Sequence, residues 1–197
     1  MAMLEREVDV VVGRLATELD ARREVIRRGE AAFGNLVCDL ARELTVSEVA
    51  LFNGGGFRAS IPAGEVRMRH VYETFPFGNE LVTGTLTGAQ LQAALDRSAS
   101  LDPADNPGGF LQVSGVRFAI RGARAVEVTV GGAPLDPEAR YRAVMPDFLA
   151  AGGDGYAMLA AMEGQVPTGR LISDMLVEAF RTRGAISPVV DGRILHQ

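Results

Sequence analysis

The run Val49-Ala50-Leu51-Phe52-Asn53-Gly54-Gly55-Gly56-Phe57-Arg58 decides how the chain is read. A short, continuous apolar stretch that stops at glycines has the form of a strand buried on both faces. Three glycines then let the backbone approach a ligand closely and present several N–H donors. Arg58 adds a guanidinium fork suited to phosphate or carboxylate. Asn53 carries both a donor and an acceptor, as a base edge requires. The same letters also describe a tight turn with a solvated arginine, and a glycine triplet taken alone favours that plainer account.

Working outward, Glu30–Leu44 reads as a helix. Phe33, Leu36, Val37, Leu40, Ala41 and Leu44 recur at helical spacing. Upstream, Val10-Val11-Val12 is β-branched and Gly13 disfavours helix, so residues 8–19 read as extended. Downstream, a short helix is expected within Gly64–Thr74, ended by Pro76. Leu81–Leu86 reads as a strand, and Thr87-Gly88-Ala89-Gln90 as a capping box opening a helix with Leu91, Ala94, Leu95 and Ser98 on one face. Ser100–Gly109 reads as a loop. Val116–Arg121 and Ala125–Val130 form a hairpin, and Tyr141–Pro146 a further strand. Asp147–Tyr156 reads as a loop, Gly169–Arg183 as a helix and Ser187–Leu195 as an extended tail. Strands and helices interleave irregularly, so the expected fold class is α+β: one mixed α/β domain with helices packed on mixed sheets.

Composition narrows the chemistry. The chain has 197 residues, a net charge of -5 and 47% hydrophobic residues. That suffices for one large domain that folds without disulfide or metal. All 20 basic residues are arginine, which removes lysine Schiff-base and P-loop chemistry. Cys38 stands alone and His70 and His196 lie far apart, so a Cys-rich zinc site, a disulfide framework and a His-rich metal centre are not expected. No G-x-S-x-G elbow is present. The acidic balance argues against a polymeric nucleic-acid partner, and no apolar run approaches a membrane span. The charged start, Met1-Ala2-Met3-Leu4-Glu5, lacks a signal-peptide core.

Three further stretches could carry binding. Phe75-Pro76-Phe77-Gly78-Asn79 offers aromatics on a rigid loop, with Phe75 and Phe77 expected on one face or both as core anchors. Asp147-Phe148…Gly152-Gly153-Asp154-Gly155-Tyr156 offers Phe148 for stacking and Asp154 for a sugar diol, or else a self-bonded turn. Arg27-Arg28-Gly29-Glu30 places an arginine just before a helix start, with Glu30 in the first turn, where anions are favoured. The plainer account of Glu30 and Asp39 is capping and a surface pair. Cys38 reads as a buried structural thiol.

Taken in order, the blocks R-x-x-E…GNLVCD, NGGGFR, PFGN, GGFLQVSG, DFLAAGGDGY and VDGRI resemble the C-terminal domain of the 5'-nucleotidase family. That family includes UDP-sugar hydrolases and 2',3'-cyclic nucleotide phosphodiesterases. The resemblance runs from about Val10 to Ile194. It implies a substrate-binding domain at residues 10–197, with residues 1–9 as the remnant of an interdomain linker. It further implies that a base stacks between Phe77 and Phe148 and meets Asn53. Arg27 and Arg58 would hold the phosphate end, Asp154 the ribose hydroxyls, and Gly55 and Gly56 would let the base lie on the backbone. Phe57 stands where the family usually has an aliphatic residue, which implies altered packing under the loop.

The family's hydrolysis belongs to an N-terminal domain with two divalent metal ions. No D-x-H or G-N-H-[DE] metal motif occurs here; Gly34-Asn35 is followed by Leu36. The expectation is therefore a nucleotide- or nucleoside-recognition domain, without catalytic residues, metal or cofactor of its own, that hydrolyses nothing alone. Its expected partner is the missing metallophosphatase domain, in a periplasmic or extracellular parent. Two alternatives stand beside it: a stand-alone module that docks on a separate phosphatase chain, and the domain of a related sulfur-oxidation hydrolase.

Overall fold

A computed structural model of the chain describes residues 9–197; most of the expected linker remnant thus lies outside the described residues. In chain order the elements begin with β1 (Val11–Leu15), α1 (Arg23–Ile26), α2 (Ala32–Thr45) and β2 (Val49–Asn53). Next come β3 (Gly64–Arg67), α3 (Met68–Thr74), β4 (Glu80–Thr87), α4 (Gly88–Ala99) and β5 (Leu111–Ser114). They continue with β6 (Val116–Arg121), β7 (Arg124–Val130), β8 (Ala133–Pro134), β9 (Arg140–Pro146), α5 (Asp147–Ala150) and α6 (Ala157–Ala160). The chain closes with β10 (Glu163–Leu171), α7 (Ile172–Arg183), β11 (Ala185–Ile186) and β12 (Ile194–His196).

The central sheet has the order β10-β4-β9-β2-β5. Every residue of β2 is buried because the strand is covered on both faces. Ala50 and Phe52 point to one core with Phe33, Val37, Val144, Leu176 and Phe180, under α2 and α7. Val49 and Leu51 point to a second core with Val82, Leu86, Leu91, Leu95, Ala143 and Met145, under α4. Alternation along the strand thus builds a three-layer arrangement. Two smaller mixed sheets, β11-β1-β3 and β12-β6-β7-β8, flank it. The expected class of mixed sheets with packed helices is the class observed.

Several local expectations need correction. The last long helix begins at Ile172, not Gly169; residues 163–171 are an edge strand paired with β4. It escapes notice because it is almost wholly exposed, holds Pro167, and contains Gly164 and Gly169 at positive φ. Such irregularity suits an edge that must not recruit another strand. Gln112 and its neighbours form strand β5, which sequence reading leaves unassigned, and the 147–156 loop contains α5. Phe75 and Phe77 are not both core anchors: Phe75 is buried, whereas Phe77 is 62% exposed, and both line one cavity. His70, given no role from sequence, makes a capping contact at the start of α3, its Nδ1 accepting the Arg67 N–H at 3.2 Å.

Strand directions gather the loops. β2 and β9 run parallel, so Asn53 and Pro146 end at the same edge of the sheet. β4 and β5 run antiparallel to these neighbours, pairing Leu81 with Pro146 and Leu111 with Asn53. The segments before β4 and before β5 therefore meet those after β2 and after β9. This is the crevice outside the carboxyl ends of neighbouring parallel strands, a preferred ligand position in α/β sheets.

Candidate nucleotide-binding site

A cavity of about 420 Å³ opens at this edge. Arg27, Asn53, Gly55, Gly56, Arg58, Phe77, Phe148 and Asp154 all line it, brought together from four loops. The aromatic content is distinctive. Of nine phenylalanines, seven are buried, and the two exposed ones, Phe77 and Phe148, both face this cavity. Leaving two large rings in water is unfavourable unless something covers them.

The glycine triplet forms a single 3-10 turn after β2. The Gly54 N–H donates to the Phe110 carbonyl and the Gly55 N–H to the Gly108 carbonyl, each at 2.7 Å. The three glycines differ in their reasons. A Cβ on Gly54 would meet the Ile26 carbonyl at 2.5 Å, and one on Gly55 would meet the Gly108 Cα at 3.0 Å. A Cβ on Gly56 would have only Asn53 Oδ1 nearby, at 3.6 Å. Thus Gly54 and Gly55 serve backbone packing, and Gly56 leaves cavity space. Beneath the turn, Phe57 packs edge-to-face on Phe33 and Phe75, with centroids 5.2 Å from each. Such edge-to-face contacts are the favoured geometry for aromatic rings.

Asp154 has a left-handed backbone, φ 56° and ψ 20°, which is uncommon outside glycine. It is held from both sides. Asn53 Nδ2 donates to Asp154 Oδ2 at 3.0 Å, and Arg97 Nη2 donates to the Asp154 carbonyl at 3.2 Å. The Tyr156 hydroxyl donates to the Gly109 carbonyl at 2.6 Å, fixing the facing loop; burial pushes this phenol well up. Backbone strain held by several contacts is a recurrent feature of ligand sites.

Arg27 follows α1, a one-turn helix that sequence reading missed, instead of standing directly at the start of α2. It is 9% exposed, and its Nε has no hydrogen-bond partner. Nη1 donates to the Asn106 carbonyl at 3.2 Å. No carboxylate forms an ion pair with it among the described residues. Burial lowers its pKa, and the charges of Arg23 and Arg58 add to the effect. Arg58 lies at the mouth, with its guanidinium carbon 5.7 Å from the Phe77 centroid.

Two residues that sequence reading did not assign to the site complete it. Asn79 Nδ2 donates to Asp147 Oδ1 at 2.5 Å, and the same oxygen accepts the Phe148 N–H at 2.7 Å. This pair ties the loop of Phe77 to the loop of Phe148. The P-F-G-N motif offered Asn79, but nothing local links it to a residue 68 positions away. Gly153 is required beside them, since a Cβ there would lie 2.5 Å from the Phe148 ring.

Glu30 does not act on the start of α2. Its carboxylate accepts from Asn35 Nδ2 and from the N–H groups of Asp191, Arg193 and Ile194, so it anchors the tail. Asp39 pairs with Arg193 at 2.7 Å. Among the described residues no group of three or more His, Cys, Asp or Glu side chains could hold a metal ion. No helix among them is long and apolar enough to cross a membrane.

The model of the 5'-nucleotidase C-terminal domain matches residues 11–161. The trifunctional nucleotide phosphoesterase protein YfkN of Bacillus subtilis is 32% identical over 93% of this chain, which spans 14% of that protein. The 5'-nucleotidase precursor from Thermus thermophilus superposes with a TM-score of 0.92 at 36% identity, over 99% of this chain and 41% of that one. The sulfate thiohydrolase SoxB of Thermus thermophilus shares the fold, with a TM-score of 0.78 at 24% identity over 99% of this chain and 36% of that one. The chain thus spans well under half the length of these proteins. With its fold, its loop arrangement and these likenesses in agreement, the chain belongs to the family of 5'-nucleotidase C-terminal domains.

Proposed function

We propose that residues 10–197 form the nucleotide- or nucleoside-recognition domain of a 5'-nucleotidase-type hydrolase, residues 1–9 being the end of an interdomain linker. One observation carries this reading: among the described residues, a buried guanidinium without a carboxylate partner faces the same cavity as the two exposed phenylalanines. A buried cation calls for an anion. Two exposed rings call for a planar partner, and every base has a π-face. A nucleotide joins the two ends. Phe77 and Phe148 stack on the base, which lies over Gly55 and Gly56. Asn53 meets the base edge with its Oδ1 and its second amide N–H, the first being engaged with Asp154. Asp154 accepts from the ribose hydroxyls, and Arg27 and Arg58 take the phosphate.

Catalysis is assigned to a separate N-terminal domain carrying two divalent metal ions, which supply a nucleophile and polarise the phosphate. This chain binds and orients. The parent protein acts in the periplasm or outside the cell. Titrating adenosine, AMP and UDP-glucose into the chain by calorimetry tests the reading. Saturable binding without hydrolysis is expected; a folded chain with no heat at millimolar ligand opposes it. The likeness to SoxB leaves a sulfur substrate as the second reading. Phe77→Ala with Phe148→Ala separates the two, because only a stacked base loses its binding surface.

A further inference from the structure

Gln112 is wholly buried and takes no part in the cavity wall. Its amide is spent on one turn. Nε2 donates to the carbonyls of Ile26 at 3.0 Å and Gly29 at 2.7 Å, and Oε1 accepts the Ala31 N–H at 3.0 Å. These three groups bracket Arg27 in sequence. They are the last carbonyls of α1 and its turn, and the first N–H before α2, groups a helix end leaves unpaired. The seat is built for this amide. Gly34 lies within α2, where glycine disfavours helix, and a Cβ there would come 2.1 Å from Gln112 Oε1.

Arg27 has little of its own to hold it. Among the described residues its side chain makes one hydrogen bond, to the Asn106 carbonyl; its Nε is unpartnered, and repulsion by Arg23 and Arg58 outweighs the attraction of Asp154. A guanidinium with so few polar contacts takes its place from its backbone and from the packing around it. We infer that Gln112 is a positioning residue, which fixes the Arg27 turn so that the guanidinium meets the phosphate of the ligand. The inference rests on the nucleotide reading above, and it concerns only the anionic end. Phe77 and Phe148 stand on other loops and keep their grip on the base.

The test compares affinities for AMP and adenosine in the full chain. Gln112→Met retains volume and removes the amide. Adenosine binding is expected to persist while the preference for AMP falls about tenfold, the scale of a hydrogen bond to a charged group. Equal weakening of both ligands marks a merely structural role and overturns the inference, as does an unchanged ratio. Should Gln112→Met not fold, Gln112→Glu carries the test. A neutral carboxyl can donate to one carbonyl and accept from Ala31; an ionised one faces two carbonyl oxygens with no donor. Relative to wild type at the same pH, its AMP preference is expected to be lost at pH 8, with or without recovery at pH 5. A ratio that tracks wild type at both pH values overturns the inference. A wild-type chain that binds neither ligand removes the nucleotide reading and this inference together.

Discussion

Gly56 and Gly54 are two residues apart and have opposite reasons to lack a side chain. Gly56→Ala adds a methyl in cavity space, so nucleoside affinity should fall while the thermal midpoint stays put. Gly54→Ala drives a methyl onto the Ile26 carbonyl and should cost about 1–3 kcal/mol of stability in denaturant unfolding. Asp154 offers a further separation. Asp154→Gly relieves a left-handed backbone worth about 1 kcal/mol, which offsets the lost bond from Asn53. Its unfolding free energy should stay within about 1 kcal/mol of wild type, while ribose-dependent affinity is lost. None of these distinctions is legible in the letters: G-G-G reads alike at each position, and only the neighbours from residues 26 and 108 tell the glycines apart.

Between elements, the contacts that matter join distant parts of the chain. Asn79→Ala cuts the tie between the Phe77 and Phe148 loops, and should weaken adenosine binding with little change in the phosphate increment. The tail is tied to α2 by Asp39 and Arg193. Burial opposes the charge on Asp39, but hydrogen bonds from Arg193 and Ser114 outweigh it and hold the carboxyl below its ordinary value. The folded pKa is thus lower than the unfolded value of about 3.9. The contribution is complete above that value and is lost as pH falls through the depressed folded value. Asp39→Asn should therefore be less stable than wild type near neutrality and show a shallower acid unfolding profile below about pH 4. Helix α2 and strand β2 are legible because their apolar spacing is local. Strand β10 and the one-turn α1 are not, since pairing with β4 and the amide of Gln112 define them from afar.

At the level of the whole molecule, sequence motifs reach the cavity residues only through resemblance; taken singly, each block supports a turn or a core anchor as well as a site. Topology supplies what is missing, because parallel β2 and β9 and their antiparallel neighbours open four loops onto one edge. The lysine-free composition fits this layout, with arginine forks at the anionic end. The central claim is that one ligand spans Arg27 and the two exposed rings. NMR of Phe77 and Phe148 ring resonances during AMP titration, with the Arg27 Nε–H followed in the same samples, tests it most directly. The account expects all three signals to shift along one saturation curve. A folded chain in which they stay fixed at millimolar AMP, or follow unrelated curves, contradicts it.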